Sequence, residues 1–166
     1  IYIMLIDEYI DYYREYTEKY GKNTFVLIQV GSFYECYGID NEEEKIGNIH
    51  VLCRLIDIQL TRRNKSIIEN SRSNPLLTGF PIHSIKKYLN IFINHNYTVI
   101  LIDQYDSEDK TYKERRLAKI ISPGTYVDEV LTADNNYIVG LYIEQEKDLE
   151  NKSHYGVGCV AIDLSI

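Results

Sequence analysis

Phe33 and Glu35 place an aromatic ring two residues from a carboxylate. They follow a Gly31-Ser32 pair in the run Gln29-Val-Gly-Ser-Phe-Tyr-Glu-Cys-Tyr-Gly38. In an extended chain, residues i and i+2 point to the same side, so Phe33 and Glu35 face together and Tyr34 faces away. A ring beside a hydrogen-bonding acid suits entry into an opened base step, because unstacking DNA needs an apolar wedge. On periodicity alone an ordinary half-buried strand is the better description. Three acids at strand-like positions, Asp57, Asp103 and Asp163, are what a metal-dependent nuclease would have to gather. Their spacing does not require them to meet, and strand-end acids also serve as caps. His50, His83, His95 and His154 have no zinc-ligand spacing. Neither a Walker loop nor a GxSxG elbow is present. The residues therefore name no catalytic group, no metal ligand and no cofactor site.

The chain carries a net charge of −7, which argues against blanket neutralisation of phosphates. The charge is uneven. Acids gather at Asp40-Asn-Glu-Glu-Glu44 and from Glu144 to Glu150. Bases gather at Arg62-Arg63-Asn-Lys65 with Arg72, at Lys86-Lys87, and from Lys110 to Lys119. Such runs also serve as solvated faces. The 3 cysteines form no CxxC pair, which fits a reducing, intracellular compartment. No apolar run reaches the roughly 18 residues of a membrane span, and no secretory signal opens the chain.

Regular elements must hold these groups. Apolar positions at Leu5, Ile6, Tyr9, Tyr12, Tyr13, Tyr16 and Tyr20 predict a helix that stops at Gly21. Phe25–Val30 reads as a buried strand, Gly31-Ser32 as a bulge or sharp bend, and Phe33–Tyr37 as its resumption. Asn41 is expected to cap a helix running to about Ile56. Ile58–Arg62 reads as strand, 64–74 as a polar loop and Thr78–Pro81 as a turn. Ser84 is expected to cap a helix to about Asn94. Tyr97–Asp103 and Arg115–Ser122 read as strands, with a charged loop from Tyr105 to Lys113 between them. Val127–Leu131 fits a short helical turn and Asp134–Asn136 a linker. Strands Tyr137–Ile143 and Tyr155–Asp163 follow, joined by an acidic hairpin. Helices alternating with strands indicate an α/β or α+β chain.

Four blocks carry a resemblance. Val30-Gly-Ser-Phe-Tyr-Glu35 resembles the Gly-Asp-Phe-Tyr-Glu signature of MutS proteins, with Ser32 at the usual Asp. Leu55–Arg63, Gly79–Leu89 (Ile82 at the usual aromatic) and Arg115–Thr125, ending Ile-Ser-Pro-Gly-Thr, follow in the family's order. The resemblance implies a mismatch-binding domain over 1–128, a mixed sheet flanked by helices, and a linker over 129–136. The first strands of an RNase H-like connector domain would occupy 137–166. It implies that Phe33 stacks on a mispaired base from the minor groove and that Glu35 hydrogen-bonds that base. Arg63, Lys65, Ser66 and Arg115 would touch the DNA backbone, and Leu77 would lie close to the minor groove. The expected partner is double-stranded DNA with mismatches or small loops. The segment would not itself be an enzyme. ATP and Mg, and the dimer contacts, would belong to parts of a parent protein beyond these residues. Two alternatives stay open: a MutS relative whose preference has moved to branched or recombination DNA, and the metal-dependent nuclease.

Overall fold

Residues 2–107, 112–126, 137–148 and 150–163 are described by the computed structural model. They divide into two compact units between Pro123 and Gly124. The helical turn expected at Val127–Leu131 and the linker at Asp134–Asn136 lie outside the described residues.

The first helix, α1 (Tyr2–Tyr20), forms as its periodicity requires. Its tyrosines stack in i,i+4 pairs, Tyr9 on Tyr13, Tyr12 on Tyr16 and Tyr16 on Tyr20. Tyr9 and Tyr16 are buried, so one face of this ladder belongs to the core. Gly21 takes φ +82°, and its N–H donates to the Thr17 carbonyl at 2.9 Å, which closes the helix.

Strands β1 (Thr24–Val30) and β2 (Phe33–Asp40) are antiparallel, with Val30 opposite Phe33. Gly31-Ser32 is therefore a two-residue hairpin turn and not a bulge within one strand. Gly31 has φ +61° while Ser32 does not enter the positive region, the II′ pattern that matches strand twist.

The helix expected from Asn41 is corrected. The Asn41 Oδ1 accepts from the backbone N–H groups of Glu43 and Glu44, closing a turn into the short strand β3 (Lys45–Ile46). At Gly47, φ is +85°, and a Cβ would lie 2.4 Å from the Tyr37 carbonyl oxygen. That backbone is not helical, so α2 begins only at Ile49 and ends at Ile56. The strand expected at Ile58–Arg62 shrinks to β4 (Thr61–Arg62). Thr78–Pro81 is also corrected: it is not a turn but the end of β5 (Leu76–Pro81), paired with β2 over its whole length. A 3-10 turn (Ile82–Ser84) leads into α3 (Ile85–Asn94), which starts after Ser84 without a side-chain cap from it. The last strands of this unit are β6 (Thr98–Asp106) and β7 (Lys113–Ile121). Both reach into the segment expected to be a charged loop.

These strands form one mixed sheet in the order β4-β5-β2-β1-β6-β7, with β3 paired to β2. Only β1 and β6 are parallel. They hold the centre, where Val26, Leu27, Ile28, Val99, Ile100 and Ile102 are fully buried. Burial on both faces explains why the two strands read as unbroken apolar runs. α1 packs on Tyr37 through Tyr9, while α3 packs on Phe25 through Phe92 and on Phe80 through Tyr88. The fold class is thus the expected α+β arrangement, a mixed sheet flanked by helices.

The second unit is a single antiparallel hairpin, β8 (Tyr137–Lys147) and β9 (Ser153–Asp163). Its register runs from Tyr137 opposite Asp163 to Lys147 opposite Ser153.

Candidate nucleic-acid interface

The β1–β2 turn sets the geometry of the candidate site. Phe33 is the first residue after it, between Val30 on β1 and Pro81 on β5. It is 43% exposed, whereas Tyr34, turned to the opposite face, is 5% exposed. The Tyr34 hydroxyl donates to the Asp103 carboxylate at 2.6 Å, and burial followed by that carboxylate pushes its pKa up. Tyr34 anchors the strand from beneath while Phe33 stands clear of the core.

Glu35 shares Phe33's face and is half-buried, flanked in register by Ile28 and Gly79. A Cβ at Gly79 would fall 2.8 Å from the Tyr34 carbonyl oxygen and 3.2 Å from the Glu35 Cγ, so glycine is what leaves room for this side chain. Burial raises the Glu35 pKa. A hydrogen bond from the Tyr37 hydroxyl and the charge of Arg115 oppose that shift without reversing it.

Arg115 comes from β7, where it pairs with Gln104. Its Nε donates to the Gln29 carbonyl at 3.2 Å and its guanidinium pairs with Glu8 of α1 at 3.3 Å. With a side chain only 15% exposed, it is largely committed inward. Leu77 lies on the same face as Glu35, opposite Tyr37 and Thr61 and half-buried.

Register separates the remaining bases. Arg62 pairs with Leu76, so it points away from the face carrying Thr61 and Leu77. Its guanidinium donates to the carbonyls of Ile67 and Ile68. Arg62 therefore does not share Phe33's face, because one residue along a strand reverses the direction. Arg63, Lys65 and Ser66 follow in the loop beyond β4, with Lys65 and Ser66 exposed. Asn74, 3% exposed, shapes this loop. Its Nδ2 donates to the carbonyls of Asn64, Ile67 and Glu69, and its Oδ1 accepts from the Asn64 N–H. Arg72 is paired with Glu44 and Asp7.

Sequence reasoning missed three residues at the site: Tyr37, Gly79 and Asn74. The i+2 spacing from Glu35 was the available signal for Tyr37. Nothing local marked Asn74, whose partners are the backbone of its own loop.

Two of the three acids weighed for a nuclease do other work. Asp57 closes α2 in the left-handed region, and Asp103 receives the Tyr34 hydroxyl. Among the described residues, no three His, Cys, Asp or Glu side chains are grouped so as to hold a metal ion. Among the same residues, no helix is long and apolar enough to cross a membrane.

A family model described as MutS domain I matches residues 8–130. The chain belongs to the MutS family. It is 36% identical over 154 residues to a DNA mismatch repair protein mutS homolog of Acanthamoeba polyphaga mimivirus, a match covering 92% of this chain and 13% of that protein. The DNA mismatch repair protein MutS of Thermosipho melanesiensis is 28% identical over 137 residues, covering 81% of this chain and 14% of its own length. MutS of Streptococcus uberis is 28% identical over 156 residues, covering 92% of this chain and 16% of its own length. The chain thus spans 13% to 16% of the length of these relatives. The MutS domain I match takes in the seven-stranded sheet, α1 from Glu8 onward, α2, α3 and every candidate interface residue, from Phe33 to Arg115.

Proposed function

We propose that this chain is the mismatch-reading module of a MutS-type repair protein and that it reads deformability. A mispaired step costs less to unstack and kink than a paired one, so a rigidly presented ring distinguishes them without a sequence code. The observation that carries the reading is Phe33, a large apolar side chain 43% exposed at a hairpin tip whose neighbour Tyr34 is buried and tethered. Phe33 enters the minor groove and stacks on the mispaired base. Glu35, beside it, hydrogen-bonds that base. Approach of phosphates adds to the burial that already favours the neutral carboxyl, so in the complex Glu35 acts as donor.

Arg63, Lys65 and Ser66 supply backbone contacts that position the duplex without reading it. Leu77 lies against the minor groove. Arg115 keeps positive charge beside Glu35, with any phosphate contact secondary to its bonds with Glu8 and Gln29. In this reading 1–128 is the mismatch-binding domain, 129–136 the linker, and the β8–β9 hairpin opens the connector domain. No chemical step belongs to these residues. ATP hydrolysis with Mg, and dimer formation, belong to the rest of a parent protein.

The deciding experiment compares matched and mismatched duplexes at one salt concentration, with Phe33→Ala in the full-length protein. Stacking on an aromatic is worth about 1–3 kcal/mol per base, so the preference for mismatched DNA should largely disappear. Binding to matched DNA, supplied by phosphate contacts, should change little. Equal losses on both duplexes would make Phe33 a structural residue and end the wedge reading.

A further inference from the structure

We propose that Tyr37 is a positioning residue for Glu35: its buried hydroxyl engages one carboxyl oxygen and leaves the other to meet the base. The inference rests on the mismatch-reading function proposed above. Tyr37 is 1% exposed and lies edge-on to Tyr9 of α1, with ring centroids 5.2 Å apart. Its ring is thus fixed by the core, and its hydroxyl donates to the Glu35 Oε2. The two residues are i and i+2 on β2 and share one face. Glycine at position 79 removes the cross-strand side chain that would otherwise crowd Glu35. One side of the carboxyl is therefore tied to the core while Phe33 marks the direction of solvent.

This division of labour suits a carboxyl that must donate. In the neutral acid, Oε2 accepts from Tyr37 as a carbonyl oxygen, and the proton sits on Oε1, aimed at an acceptor on the base. In the anion the same phenol donation persists and is stronger, because the acceptor is charged. Tyr37 therefore orients the group in both states and restrains how readily it takes up a proton. The charged and titratable groups on the surrounding elements include Arg115 of β7 and, on α1, its partner Glu8, Tyr12, and Tyr9 against the Tyr37 ring. The Tyr12 hydroxyl donates to the Arg115 carbonyl at 3.1 Å. Arg115 acts on the Glu35 carboxyl through its charge, and the hydrogen bond to that carboxyl comes from Tyr37.

The test follows the Glu35 side-chain carboxyl by 13C NMR across pH in the 166-residue chain without DNA, with and without Tyr37→Phe. Loss of the phenol should move the Glu35 midpoint to higher pH. A midpoint that stays or falls overturns the proposal. In the unsubstituted chain the Tyr37 Cζ resonance should titrate together with Glu35, which needs no variant to fold; a flat Tyr37 signal across that range is equally fatal. In full-length protein, compared at a pH below the Glu35 midpoint of both forms so that the carboxyl is neutral in each, Tyr37→Phe should lower mismatch discrimination roughly threefold to tenfold, the worth of one hydrogen bond. It should cause no further loss when Glu35→Ala is already present, and an equal loss in both backgrounds would make Tyr37 merely structural. A moved midpoint with mismatched and matched duplexes bound alike overturns the mismatch reading. An unmoved midpoint with discrimination intact overturns the positioning role alone.

Discussion

Phe33 and Glu35 are neighbours on one face but answer to different forces, so they separate experimentally. In the proposed function the ring would work by stacking, which is insensitive to pH, and the carboxyl by hydrogen bonding, which is not. Burial raises the Glu35 pKa, and nearby phosphates raise it further in a complex. Mismatch discrimination should therefore weaken as pH rises through the Glu35 value in the complex. With Glu35→Gln, whose amide donates at every pH, that pH dependence should flatten. Folding gives the same sign without DNA. A carboxyl whose folded pKa is raised leaves the native state holding more protons than the unfolded one. Its contribution to stability falls as pH climbs from the ordinary glutamate range through the raised value. Urea midpoints measured across that window should decline more steeply for the unsubstituted chain than for Glu35→Gln. Parallel lines would mean that Glu35 is not perturbed by the fold.

Asn74 shows how an element without regular structure can still be built. The loop between β4 and β5 has four backbone groups satisfied by that one side chain, which replaces the ladder bonds a strand would supply. Asn74→Ala should cost about 2 kcal/mol or more in urea unfolding, since four hydrogen bonds made by one buried side chain are lost together. It should also raise hydrogen exchange at the Asn64 amide selectively, and uniform exchange across the sheet would refute the staple role. Such a residue is illegible in sequence, because its partners are carbonyls and carry no residue identity. The strongly periodic elements were legible. The α1 tyrosine spacing and the apolar runs of β1 and β6 each gave the right structure, since hydrophobic burial fixes their period. The errors cluster where glycine or asparagine sits. Asn41 looks like a helix cap but closes a turn, and Gly79 looks like a turn but is a close strand approach. Local preference cannot distinguish these uses, which tertiary neighbours decide. At the site, alternation correctly separated exposed Phe33 from buried Tyr34. It could not place Arg62, whose direction follows from its pairing with Leu76 in β4.

Over the whole molecule, 25 acidic residues outnumber 18 basic ones, which looks wrong for a DNA-binding chain. The pairings sharpen the point. Arg14, Lys19, Arg72, Lys113, Arg115 and Arg116 each form an ion pair with a carboxylate. Exposed pairs of this kind add little to stability, but they do withhold positive charge from phosphate. The anchoring set of the proposed function is small, with Arg63 and Lys65 exposed in the loop beyond β4. The proposed function asks for no more than a wedge and a few anchoring contacts, with specificity drawn from the energy of deforming DNA and not from bulk attraction. The salt dependence of binding should show this. Each neutralised phosphate adds about −0.9 to the slope of log K against log salt, so two or three contacts give about −2 to −3. Raising salt from about 50 to about 200 mM should then weaken binding of this chain to a mismatched duplex by roughly 10- to 40-fold. Blanket neutralisation through about six contacts would instead cost more than about 1000-fold over the same range. The measurement is a fluorescence-anisotropy titration of the chain against one mismatched duplex at several salt concentrations. A shallow slope that Lys65→Ala lowers by about one contact's worth fits a wedge with sparse anchors. A steep slope unchanged by Lys65→Ala would place the DNA on another face and leave Phe33 without a role in binding.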